Sequence, residues 1–236
     1  MQTVKATYDY SWSTQPDAFP THTYTGTPGL KTVKITGQFT QWVGEWWGLW
    51  SQGCITEVTS WGDGTGTVLG NGGFNGSVNL TDVARIPTTM ENLDNFLSAD
   101  SAAFTGESLS QWDVSNVTDM TGMFANMKGV TGDVSGWDTS NVVWMDNIFA
   151  GSTFNGDISD WNVRNVKSFS LAFSDSTFNG DISRWEPVSA TAMVFMFNNA
   201  TSFNQNLSGW DVSNVTSYGG FGSGSALTAQ NRPLFK

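Results

Sequence analysis

A tryptophan recurs at nearly constant spacing through the second half of this 236-residue chain. The separations along the column are 25, 24, 24 and 25 residues. Its members are Trp112, Trp137, Trp161, Trp185 and Trp210. Identical segments accompany it, since WDVSNVT stands at 112–118 and 210–216 and STFNGDIS stands at 152–159 and 176–183. A fixed period predicts a repeat architecture, in which stacked units bury what no single unit can bury.

Apolar residues keep step with the tryptophans. After each Trp, Val or Ala follows at five residues and Met, Phe or Tyr at eight, and Phe follows at twelve in the first four units. Steps of three and four residues place side chains on one face of a short helix. Asn116, with Asp119 three residues on, has the pattern of a helix N-cap. We therefore predict a helix of two or three turns from Asn116.

The segment FNGDIS precedes the Trp in its clearest copies. Phe154 and Ile158 alternate with Asn155 and Asp157, which is the pattern of a half-buried strand. Each unit is then a strand, a Trp-bearing turn and a short helix. A period of this length lies within the range of leucine-rich repeats. The sequence thus predicts an α/β repeat fold, a leucine-rich-repeat-like solenoid of 24–25-residue strand-helix units.

The combined pattern FNGDISxW, DVSNVxxM and xxMF resembles the repeat of BspA-like leucine-rich-repeat surface proteins, including their short lipoprotein-type variant. The resemblance covers roughly residues 70–230 and places the solenoid at 69–218, with a C-terminal cap or tail at 219–236. It implies a protein that adheres to host surfaces, matrix proteins or glycans.

Residues 1–68 lack the repeat and are predicted to form a β-rich N-terminal cap or small domain. Alternating residues around TPG at 27–29 indicate a hairpin, which resembles the closing hairpin of a PKD-like β-sandwich. The segment QWVGEWWGLW then holds four tryptophans, including Trp46 and Trp47. Two alternatives remain for this cluster: it covers the end of the solenoid, or it is an exposed patch that binds sugar or protein.

The sequence lacks the residues that several classes of function require. The chain has one histidine, His22, and one cysteine, Cys54, so neither a catalytic triad nor a cysteine-based metal cluster can be assembled from them. WGDGTG at 61–66 has no P-loop lysine. The net charge of −11 disfavours nucleic acid, and no apolar run predicts membrane insertion. We predict that the protein is not an enzyme and needs no cofactor, with calcium as the one alternative.

Polar side chains repeat on the strand face opposite the Phe and Ile residues. Asp133, Asp157 and Asp181 form one column there. Carboxylates one rung apart repel one another, and a calcium ion would relieve this repulsion. The alternative is a solvated acidic face screened by salt. The candidate binding residues are these three aspartates with Asn155, Asn179, Asn204, Trp46 and Trp47.

These observations lead to three functional hypotheses. The first is a phage virion surface protein with a tail-fibre, receptor-binding or capsid-decoration role, because Met1 opens no export signal and lysis releases such proteins. The second is a trimmed domain of a bacterial cell-surface adhesin, and the third is a carbohydrate-binding accessory module. In each case the protein acts outside the cell. The expected partners are a host-surface glycan or protein, or other virion subunits, and homo-oligomerisation is left open.

Overall fold

The computed structural model describes residues 73–236 and the backbone of three short strands nearer the N-terminus. The chain divides into two compact units, 1–39 and 40–236. In the first unit, β1 (Val4–Asp9) pairs in parallel with β2 (Lys31–Thr36). β2 falls where the second arm of the hairpin was predicted. The first arm lies outside the described residues, so the hairpin stays a prediction.

The described part of the second unit contains little regular secondary structure. β3 (Glu57–Val58) pairs in parallel with β4 (Asp82–Val83), and two 3₁₀ helices lie at Leu109–Gln111 and Ala229–Asn231. The described part of the chain has no α-helix, and none of its helices could cross a lipid bilayer. The predicted boundary at 68/69 falls inside this unit. The segment 219–236 also belongs to it and buries Phe221 and Leu227.

Consecutive repeats join through single parallel bridges, and each bridge is one rung of a ladder. The bridged residues, one per repeat, are Asn92, Asp119, Trp144, Ser168, Ala192 and Ser217. Beyond each bridge, alternate N–H groups donate to carbonyls of the next repeat. Met120 donates to Trp144 at 2.9 Å, and Phe124 donates to Ile148 at 2.9 Å. The backbone of each repeat is thus satisfied by its neighbour.

The helix predicted from Asn116 is wrong, because this segment forms consecutive four-residue turns. The N–H of Met123 donates to the carbonyl of Met120, and Met127 donates to Phe124, both at 3.2 Å. Gly122 and Asn126, the third residues of these turns, have φ of 59° and 62°. Positive φ at this position is typical of type II turns and incompatible with an α-helix interior. Four-residue turns still bury Met120 and Phe124 on one side, which imitates the helical spacing.

The strand predicted for FNGDIS is also absent, although its faces are as predicted. Phe154 and Ile158 are buried, and Asn155 and Asp157 are exposed. In two of the repeats a side chain accepts the hydrogen bond at a position where a β-ladder would need a carbonyl acceptor. The N–H of Asn179 donates to Oδ1 of Asn155 at 2.7 Å.

Stacked aromatic rings fill the interior. Trp137 lies between Trp112 and Trp161, with ring centroids 5.9 Å apart on both sides. Trp137 and Trp161 are 5% and 3% exposed, so the column is interior as the spacing predicts. A second column of phenylalanines includes Phe124 and Phe149, whose centroids are 5.5 Å apart. These rings bury apolar area that a lone repeat would leave in water.

Candidate functional site

Two outward surfaces are the candidates for binding, and the first is the one predicted from sequence. We call it the Asn/Asp face. It consists of Asp133, Asn155, Asp157, Asn179, Asp181 and Asn204, all of which are exposed. The structure therefore brings six of the predicted residues to one repeated set of positions. Trp46 and Trp47, the other two, lie outside the described residues.

The aspartates of the Asn/Asp face each cap a turn of their own repeat. Oδ1 of Asp157 accepts the N–H of Ser159 at 2.9 Å, and Oδ1 of Asp181 accepts that of Ser183 at the same distance. These main-chain bonds, followed by those of the serine hydroxyls, hold the pKa of both carboxyls below 3.8. A donor aimed at the charged form favours that form. The column is therefore built into the local fold.

The asparagines of this face join neighbouring repeats. Oδ1 of Asn179 accepts the N–H of Asn204 at 3.1 Å and the side-chain amide of Gln205 at 3.0 Å. Oδ1 of Asn204 in turn accepts the N–H of Thr228 at 3.1 Å. A ligand that used these oxygens would compete with the main chain.

The three aspartates of the predicted metal centre are not gathered into one cluster. Among the described residues, no group of three or more His, Cys, Asp or Glu side chains is placed to hold a metal ion. Asp133, Asp157 and Asp181 stand one per repeat, and Oδ1 of each accepts the serine N–H of its own turn. Hydrogen bonds from serine lower the pKa of Asp133 and Asp181, and the charge of Asp157 opposes this, so neighbouring carboxylates of the column repel one another.

A second asparagine column also has a structural role that sequence reasoning missed. Nδ2 of Asn116, the predicted N-cap, donates to the carbonyl of Thr88 at 2.7 Å, and Nδ2 of Asn141 donates to Ser115 at the same distance. Ser189 takes this position in the Trp185 repeat. The regular spacing of these asparagines could have revealed their contacts.

The same repeat contains Glu186, which pairs with Arg164 of the preceding repeat. Both residues line a shallow, open groove of about 170 Å³. This ion pair does not follow the repeat, so the sequence spacing could not reveal it.

The second candidate surface, which sequence reasoning missed, lies beside the bridges, and we call it the ladder face. Its members are Glu91, Asp94, Asp119, Trp144, Asp146, Leu171, Val194 and Phe195, all exposed or half-buried. Trp144 and Phe195 are 44% and 43% exposed, which is unusual for such large apolar side chains. The available signal was an aromatic residue outside the repeated columns.

Leu171 and Phe195 also have an unusual backbone. Their φ angles are 60° and 53°. The same turn position in other repeats holds residues that tolerate positive φ, namely Asn95, Gly122, Asn147 and Gly220. Phe195 packs over Gly220, where an added Cβ would lie 2.2 Å from its ring. Two strained positions on this surface thus carry large apolar side chains.

The repeated part of the chain matches a family described as "Mycoplasma protein of unknown function, DUF285" over residues 89–177 and 150–232. The chain belongs to the DUF285 family. The two overlapping DUF285 matches run from 89 to 232 and include all five stacked tryptophans from Trp112 to Trp210. No curated protein and no solved structure matches the chain. Membership fixes the repeat family and leaves the activity open.

Proposed function

We propose that this DUF285 protein is a non-enzymatic recognition module, a solenoid of 24–25-residue units that binds a partner outside the cell. The observation that supports this proposal is that the inward and outward side chains of each repeat have different roles. Trp, Phe and Met side chains pack inward against the neighbouring repeats, and polar or apolar side chains at fixed positions point outward. Stacked repeats of this kind offer extended surfaces for binding.

We place this module first on the surface of a phage virion, in a tail-fibre, receptor-binding or capsid-decoration role. Its partners would be a host-surface glycan or protein, or other virion subunits. The second candidate is a domain of a bacterial cell-surface adhesin, which the association of BspA-like surface proteins with DUF285 favours. A BspA-like leucine-rich-repeat identity and a PKD-like N-terminal hairpin are part of this second proposal.

A carbohydrate-binding accessory module is the third candidate. It would use Trp46 and Trp47 as a stacking platform for sugar rings, because exposed tryptophans suit that contact. Binding to a glycan array by the parent chain, compared with a Trp46→Ala and Trp47→Ala double variant, tests it.

Localisation and binding test the leading proposal together. Antibodies raised against the purified chain are applied to phage particles and to intact bacteria, and binding of the labelled chain to the same cells is measured. Labelled particles or saturable binding to cells support a recognition role. The proposal is refuted if the antibodies label neither phage particles nor bacteria and the chain binds neither cells nor virion subunits. Turnover on glycan or peptide substrates would refute it too.

A further inference from the structure

We propose that the ladder face binds an extended segment of a partner protein that carries basic residues next to apolar ones. This inference rests on the proposed recognition function and names its surface and the chemistry of its partner. This face was not among the surfaces predicted from the sequence.

The apolar half of the ladder face lies on consecutive rungs. Leu171 donates its N–H to the carbonyl of Val194 at 2.9 Å, so Leu171 and Phe195 occupy equivalent turns in adjacent repeats. Trp144 stands one rung earlier, bridged to Ser168. Exposed apolar side chains that neighbour one another mark interaction sites more often than scattered ones do.

Backbone strain gives the apolar half a second argument. Leucine and phenylalanine at positive φ lose stability that asparagine or glycine would keep. Neither side chain recovers this loss by full burial, because Leu171 is half-buried and Phe195 is 43% exposed. Strain retained at an exposed position points to a role in function.

The acidic half of the ladder face sets the charge of the partner. Glu91, Asp94 and Asp119 belong to the rungs before Trp144, and Asp146 lies two residues after Trp144 in the same repeat. Two ion pairs join described residues, Arg164 with Glu186 and Arg184 with Asp160, and neither includes these carboxylates. Burial and the charge of Asp119 raise the pKa of Asp94, so a cation there would relieve repulsion. Basic side chains are the complement to this charge.

The dimensions favour an extended segment. Four rungs separate Asn92 from Ala192, which at about 4.8 Å each gives roughly 19 Å. An extended chain of about six residues covers this length at roughly 3.3 Å per residue. A seven-residue peptide with three lysines at one end is therefore a suitable probe.

The test uses the full chain and fluorescein-labelled peptides of sequence KKKGLFL, EEEGLFL and KKKGSGS. Fluorescence anisotropy at physiological salt should show KKKGLFL binding at least about tenfold more tightly than either control peptide. The Leu171→Asn and Phe195→Asn double variant should lose about tenfold in affinity for KKKGLFL. The Asp94→Asn and Asp119→Asn double variant should lose affinity for it too, and more at low salt.

Matched controls separate binding from folding. Asparagine accepts positive φ, so the Leu171→Asn and Phe195→Asn variant should melt no lower than the parent. Leu234→Asn removes an 87% exposed apolar side chain outside the ladder face and should leave peptide affinity unchanged.

Three outcomes overturn the inference. The first is equal binding of KKKGLFL by the parent and both ladder-face variants. The second is a parent chain that binds none of the three peptides but binds a glycan, when Trp144→Ala abolishes the glycan binding. The third is a natural partner whose binding depends on the Asn/Asp face alone, which would leave the proposed recognition function intact. A chain without any surface partner refutes that function instead.

Discussion

The indole Nε1 of Trp185 donates a hydrogen bond to the main-chain oxygen of Ile158, 2.9 Å away in the preceding repeat. The same oxygen accepts the N–H of Trp161 at 3.2 Å. Each of the other stacked tryptophans makes the same bond to an earlier repeat, with carbonyls at Val83, Leu109, Val134 and Ile182. The tryptophan column therefore fixes the register between repeats as well as filling the core.

Trp185→Phe separates the hydrogen bond from the ring. Phenylalanine keeps an aromatic ring in the column but lacks the indole N–H, so we expect a loss of about 1 kcal/mol or somewhat more in the free energy of unfolding. Trp161→Ala, which also empties the site, should cost about 3–5 kcal/mol. Denaturant titration measures both.

Trp144→Phe supplies the control for Trp185→Phe. Trp144 is exposed, so this change should alter the free energy of unfolding by less than about 0.5 kcal/mol. Equal losses for Trp144→Phe and Trp185→Phe would contradict this account.

Acid should destabilise the protein through the capping aspartates. Their pKa in the folded chain lies below the usual 3.8 because serine N–H groups hydrogen-bond the carboxylate. The stability that they add is therefore complete above the unfolded pKa and is lost as the pH falls through the lower folded pKa. The melting temperature should decline below about pH 4.

Asn206 supplies the control for this pH dependence. It stands in the aspartate column and accepts the N–H of Ser208 at 3.0 Å without a titrating group. Asp157→Asn and Asp181→Asn should accordingly keep the turns and reduce the acid sensitivity. Asp157→Lys and Asp181→Lys should instead lower the melting temperature at neutral pH, because lysine offers no acceptor. An unchanged pH profile in the asparagine variants would show that other carboxyls dominate.

Asn179→Ala should weaken the junction between two repeats. It leaves the N–H of Asn204 without its acceptor, whereas the amide of Gln205 keeps the main-chain oxygen of Asn179, at an expected cost of about 0.5–1 kcal/mol. Hydrogen exchange at Asn204 should become faster. Asn179→Asp keeps an acceptor oxygen, so its Asn204 amide should stay protected, and faster exchange in both variants would argue against the side-chain acceptor.

Leu171→Asn should stabilise the protein. The change removes the cost of a leucine at φ of 60°, and we expect a gain of up to about 1 kcal/mol, reduced by lost packing. The reciprocal variant Asn147→Leu, at the same turn position, should lose a similar amount. Chemical denaturation compares the pair, and stability changes of the same sign would contradict strain as the cause.

The interior could be predicted from the sequence because burial follows spacing alone. Trp137, Phe154 and Ile158 are buried where their columns require. The backbone could not be predicted in the same way, since turns of four residues and an α-helix both return a side chain to the same face. Gly122 and Asn126 distinguish the two, because positive φ at every fourth residue excludes a helix.

The two outward faces also differ in how far the sequence could predict them. The Asn/Asp face was visible as a pattern, but a regular pattern is also what structural hydrogen bonds between repeats produce, as at Asn155 and Asn179. Trp144, Leu171 and Phe195 occupy positions at which other repeats carry small or polar residues, so their exposure in the fold is what distinguishes them from core residues.

The bonds along the ladder run in both directions at each bridge: Met120 donates its N–H to Trp144 in the next repeat, and Trp144 donates back to the carbonyl of Thr118. Insertion or deletion of a unit of 24 or 25 residues would leave donors and acceptors matched at the new junction. A change of another length would shift the ladder out of register unless a loop absorbs it, as happens in the 27-residue step from Asn92 to Asp119. Natural and engineered variants of this protein should therefore grow or shorten in whole repeats, and their reach along the ladder should change in steps of about 4.8 Å.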